Sequence, residues 1–256
     1  SCFSPIPVQP RPTPPVMPSS LAQGREDGTF LIQNVYQCVE KLVPGSVKAL
    51  RVVRMYEQPT ASVPDRSAVS QEITKGVVGN VPVNADGSVA FRAPAKEPLL
   101  FQLVDENDLA LFSMRSQVYL QPGETMSCAG CHEPRGKTPA ISQSALKSAE
   151  AVAITPPPGP LYEGGFSFAR SVQPVLDRYC IRCHGLKQKK ADLSLLGTRT
   201  PQFNEAYESL VGRRGLVSLA HRNEQTDVSK LCDYGGHAGK LAGLLLGEHK
   251  KLAPLD

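Results

Sequence analysis

The sequence predicts an α+β multidomain chain, an antiparallel β-rich domain followed by a small all-α domain. Three observations carry this. Short alternating or apolar runs separated by turn signals fill residues 25–153, a proline block interrupts the chain at residues 154–162, and beyond it the apolar pattern takes the helical period.

Residues 1–24 form a proline-rich connector, because seven prolines with no periodic apolar pattern favour extended, polyproline-like backbone. The spacing of β-branched and aromatic residues then predicts strands at 30–36, 47–56, 77–83, 89–92, 99–104, 109–114 and 118–120. Turn chemistry separates them at Asn84-Ala85-Asp86-Gly87 and at Asp105-Glu106-Asn107-Asp108. Several short strands at close spacing indicate an antiparallel sandwich or barrel. The run Thr155-Pro156-Pro157-Pro158-Gly159-Pro160 is expected to join neither a helix nor a ladder, and so to link two domains. In residues 163–256, Phe168, Val172, Val175, Leu176 and Tyr179 make an apolar stripe on a helix ending at Cys180. Further helices are expected around 203–211 and about 236–251, the last with Leu241, Leu244 and Leu245 on one side.

Composition removes several function classes. The net charge of +4 is too weak for a dedicated nucleic-acid binder. No apolar run approaches the roughly 20 residues of a spanning helix, so no membrane span is expected. Of the seven cysteines, four lie in two motifs, and Cys2, Cys38 and Cys232 are left over, an odd number that cannot all pair within the chain.

The motifs are Cys-x-x-Cys-His, at Cys128, Cys131 and His132 and again at Cys180, Cys183 and His184. Covalent haem attachment needs this set: two thiols to form thioethers with the porphyrin vinyl groups, and an imidazole beside the second thiol to reach the iron. A chain of this composition holds the motif by chance roughly 0.004 times, so two copies point to two covalently bound haem c groups. Zinc is the competing cofactor, since two Cys-x-x-Cys knuckles can build a four-thiolate structural site. Both knuckles, however, are followed by a histidine such a site does not require, and they lie on opposite sides of the proline linker.

The ligand inventory separates the two sites. The histidines are His132, His184, His221, His237 and His249, and the methionines are Met17, Met55, Met114 and Met126. The second domain holds no methionine, so its distal ligand is a histidine or the position is open. His237 and His249 are both expected on the Leu241 and Leu245 face of the last helix. In the first domain His132 is the only histidine, and Met114, Met126, Tyr119 or nothing faces it across the ring. Those methionines read first as core packing. Lys187, Lys189 and Lys190 form a solvated charged face beside the second motif, or a docking patch for an acidic redox partner.

Certain phrases are similar to a known family. They run from Val81-Pro82-Val83 through Phe91-Arg92-Ala93-Pro94, Met114-Arg115-Ser116 and Gln121-Pro122-Gly123-Glu124 to Cys128-Ala129-Gly130-Cys131-His132-Glu133. In that order they resemble the middle domain of the hydrazine synthase alpha subunit family. Val172-Gln173-Pro174-Val175-Leu176-Asp177 and the stretch from Leu241 to His249 are similar to its C-terminal cytochrome domain. The resemblance implies an N-terminal propeller that is absent here, so a piece of a longer polypeptide is expected. It also implies a bis-histidine C-terminal haem, with His249 in the distal position ahead of His237. In hydrazine synthase itself a tyrosine shortly after the motif holds the middle-domain haem and the motif histidine turns to zinc. Residues 133–138 here contain no tyrosine, although zinc at the first site stays an expectation.

The expected function is therefore a dihaem c-type electron-transfer module, extracytoplasmic, working with redox partner proteins, other subunits or the missing propeller. The alternatives are a catalytic oxidoreductase subunit that converts a small nitrogen species at the first haem, and a zinc-stabilised structural module.

Overall fold

The computed structural model describes residues 7–18, 21–22, 24–38, 40–56, 74–114, 116–132, 150–159, 167–211, 216–218, 230–233, 235–247 and 249. Cys2, the linker residues 160–162 and the far end of the expected last helix lie outside these.

Seven strands form two sheets: β1 (Asp27–Ile32), β2 (Ala49–Tyr56), β3 (Thr74–Pro82), β4 (Val89–Pro94), β5 (Leu99–Val104), β6 (Ala110–Ser113) and β7 (Thr125–Cys128). One sheet has the order β4-β1-β7 and the other β3-β2-β5-β6. All pairings are antiparallel except β1 with β7, which run parallel and place Cys128 opposite Ile32. Alternation sets the faces. Leu99, Phe101 and Leu103 of β5 face the main core together with Leu50 and Val52 of β2, while Leu100, Val53 and Met55 form a small cluster of their own. Phe30, Phe91 and Phe101 fill the centre, with ring centroids 5.0–5.5 Å apart.

Six of the seven expected strands form. Residues 118–120 contribute only one bridge, Val118 with Leu99. The unpredicted strand is β7, whose sequence Thr-Met-Ser-Cys is too short and polar to announce itself without its partner β1. The start of the expected linker also differs. Thr155 exchanges both backbone hydrogen bonds with Asn80 of β3 (2.8 and 3.0 Å), and Val152 bridges Phe91 of β4. This strap ties the outer strands of the two sheets together. It crosses so close to β3 that a Cβ on Gly79, at φ +154°, would lie 2.6 Å from the Thr155 carbonyl carbon.

The C-terminal part is helical: α1 (Gln173–Tyr179), α2 (Ile181–His184), α3 (Glu205–Val211) and α4 (Lys240–Leu246). The apolar stripe from Phe168 is wound first as a π-turn, Phe168–Val172, before α1 begins. Pro174 explains the change, because its ring nitrogen cannot donate and suits the first turn of a new helix. The last helix starts later than expected. It begins at Lys240, so His237 lies in the preceding turn and not on the helical face shared with His249.

Candidate functional site

The second motif sits on one continuous turn. Cys180 ends α1, and its carbonyl accepts the N–H groups of Cys183 (3.1 Å) and His184 (3.0 Å), so both thiols and the imidazole project from α2 within a single helical turn. The His184 ring is fixed: its Nδ1 lies 3.0 Å from the Lys190 carbonyl oxygen. A carbonyl only accepts, so Nδ1 carries the proton and Nε2 keeps a lone pair for a metal. The loop that supplies this carbonyl bends through left-handed backbone at Ala191 and Asp192 (φ 54° and 53°). It is held by the Leu195 N–H donating to the His184 carbonyl at 2.8 Å.

Buried Gln173 completes the support. Its Nε2 donates to Leu195 O (3.1 Å) and Asp177 Oδ1 (2.8 Å), and its Oε1 accepts from Asn204 Nδ2 (3.1 Å). One side chain thus joins α1, the loop behind His184 and the start of α3. Burial, with the neighbouring Cys183 adding to it, pushes the Cys180 thiol above its ordinary value.

The packing around this motif is thin. Among the described residues the helical part fully buries three apolar side chains, Leu195, Ala206 and Leu210. Val175, Leu186, Leu244, Leu245 and Leu246 are exposed, at 40–91%. The donor set fits a haem c: two thiols on one turn and a tautomer-fixed imidazole. His249, half-buried, follows α4 closely.

The first motif has the same donors in a different setting. Cys128 ends β7 and packs against the main β core, and Cys131 is inside it, 7% exposed. The Cys131 N–H donates to the Gln37 carbonyl at 3.0 Å, and Gly130 lies flat against that residue. His132 points to solvent from left-handed backbone, φ 66°. A ring bound to both thiols would have to replace contacts Cys131 now makes with the core. Met126 packs on the main cluster beside Cys128, and Met114 lies between the two β clusters. Tyr119 is exposed.

The structure places His237 against Asp105 of the β-domain, Nε2 to Oδ2 at 2.9 Å. Among the described residues no three His, Cys, Asp or Glu side chains converge in a group that could hold a metal ion. Nor is any helix among them long and apolar enough to cross a membrane. Neither the supporting role of Gln173 nor that of the Lys190 carbonyl is legible in the sequence. The first reads as an ordinary polar residue on a helix, and a backbone acceptor leaves no trace in residue identity.

Residues 45–133, from just before β2 to just past His132, match the family model for the hydrazine synthase alpha subunit middle domain. This stretch is hydrazine synthase alpha-like. Among solved structures, hydrazine synthase from Kuenenia stuttgartiensis shares the fold, with a TM-score of 0.55 at 17% identity over 75% of this chain. The chain spans 35% of the length of that protein. No curated protein matches it. The β-domain extends beyond the matched residues, since β1 lies outside them and still pairs with both β4 and β7.

Proposed function

We propose that this chain is a dihaem c-type electron-transfer module, part of a larger extracytoplasmic redox protein. The observation that carries the reading is the His184 ring, held by its Nδ1 on the Lys190 carbonyl and presented on the same turn as the Cys180 and Cys183 thiols. A haem c attached there supplies one-electron exchange at its iron. The chain's own residues do the rest. Cys180 and Cys183 would fix the ring in place, and Gln173 and Leu195 hold the loop that orients His184. His249 is the proposed distal ligand, which would close the iron to other ligands and leave electron transfer as its work. Partners follow from the chemistry: a donor or acceptor protein, and the further domains or subunits that the alpha subunit resemblance implies.

A second reading is favoured by the family match ending at the first motif. There, a haem on Cys128, Cys131 and His132 would have no second histidine of the β-domain to close it, and an open iron can bind and convert a small nitrogen species. Spectra of the reduced, haem-loaded chain with and without carbon monoxide separate the two. Unchanged spectra support the electron-transfer module. A shift that disappears in the His132→Ala variant supports the catalytic one.

A further inference from the structure

The turn before α4 is fastened to the β-domain by contacts of several independent kinds. Asp105, at the end of the β5 ladder, accepts the N–H groups of Asn107 and Leu109 on its Oδ1, each at 2.9 Å. Its other oxygen is thereby aimed outward, and it meets His237 Nε2 at 2.9 Å. The Asp105 side chain is 13% exposed and that of His237 27%, so the pair is sheltered more than an ordinary surface ion pair. Alongside it the Cys232 N–H donates to the Leu111 carbonyl of β6 at 2.9 Å, and Leu231 packs on the main β core. Gly236 lies so close to the β5–β6 connection that a Cβ there would fall 2.6 Å from Leu109 Cδ2.

The same turn is continuous with α4. Gly239 N–H donates to Gly235 O (2.9 Å), Gly235 N–H to Ser218 O (3.0 Å), and Leu241 N–H to Leu216 O (2.9 Å). The side-chain contact at Asp105 and this hydrogen-bonded turn therefore lead to the first turn of the helix that carries the exposed Leu244 and Leu245 and precedes His249. A pair separated by 132 residues thus tethers the turn before α4 to the β-domain. Arg51 lies near enough to feel the Asp105 charge, but its guanidinium is hydrogen-bonded to the Asp108 carbonyl (2.8 Å) and carboxylate (3.4 Å).

We infer that Asp105 and His237 are positioning residues: an interdomain clasp by which the β-domain sets the place of α4, and with it His249, over the second motif. The part concerning His249 rests on the haem reading above; the part concerning α4 does not.

Hydrogen exchange of the full chain, with and without haem, tests it. His237→Asn removes the pair, and Gly236→Leu wedges the same interface without touching it. Both are expected to speed exchange of residues 235–246 roughly 5- to 30-fold, the equivalent of one lost charge-assisted hydrogen bond. Asp105→Asn keeps an acceptor for its own turn and a donor for a neutral imidazole, so it is expected to change exchange less than about threefold. In the haem-loaded chain His237→Asn is also expected to raise the fraction of the second iron that binds carbon monoxide. Unchanged exchange in both variants would overturn the clasp. Faster exchange with unaltered iron ligation would overturn its role in placing His249. If the second motif takes no haem, the haem reading is lost, and exchange alone still decides whether the β-domain positions α4.

Discussion

Replacing Gly130 with alanine probes whether the first motif is built into the β core or merely attached to it. An added Cβ would overlap the Gln37 carbonyl oxygen and stand 2.7 Å from the Gln37 Cβ. Neither group can swing away, since both belong to backbone or to the first atom of a side chain. Relief requires the segment carrying Gln37, or the motif, to move, and either motion breaks the Cys131 N–H bond to Gln37 O. Losing a buried backbone hydrogen bond costs about 1–3 kcal/mol, and overpacking adds about 1–3 kcal/mol. Gly130→Ala should therefore destabilise the β-domain by about 2–6 kcal/mol, read as a lower urea midpoint at unchanged slope. The matching position of the second motif, Arg182, is exposed on α2, and Arg182→Ala should stay within about 0.5 kcal/mol of wild type. Equal, small effects at both positions would refute the claim that the same five-residue motif is held by different physics in the two domains.

Other consequences follow from single contacts. Gln173→Ala removes three hydrogen bonds that meet in the helical part and should cost about 2–4 kcal/mol there, measured by urea unfolding, while the β-domain is unchanged. Gly87→Ala forces a side chain into φ +84° with its Cβ 2.9 Å from a Tyr36 ring carbon. At least about 1–2 kcal/mol from the left-handed backbone alone is expected, seen as a lower melting temperature. The Ser88 hydroxyl and N–H hold the Asp86 carboxyl below its ordinary value. Its contribution is therefore complete above the usual carboxylate range and lost as pH falls through the lower folded value. Wild type should be more stable than Asp86→Asn at pH 7, with the gap closing on acidification when both are unfolded in denaturant across that range.

Much of the β-domain was legible in the sequence, because alternation fixes which side chains go inward and turn residues mark where strands stop. Phe91, Phe101 and Leu103 are buried as their spacing requires. What escaped was non-local. Strand β7 exists through its pairing with β1, nearly a hundred residues earlier, and the strap at Thr155 exists through Asn80. A proline-rich stretch looks like a linker until a sheet edge offers it partners. At the candidate site the ligating residue types were readable from spacing alone, whereas the group that orients His184 is a backbone carbonyl. His237 shows the limit of helical periodicity: a spacing compatible with one face of a helix says nothing when the helix starts three residues later. Its partner Asp105 lies in another domain, beyond the reach of any local pattern.

The central claim, that Cys180, Cys183 and His184 hold a haem, is tested most directly by the intact mass of the denatured chain after maturation in a host that attaches haem c. The account predicts a polypeptide heavier by two haem groups, and a Cys180→Ser, Cys183→Ser variant heavier by one. A mass equal to the bare polypeptide, or one that the double variant leaves unaltered, would contradict it.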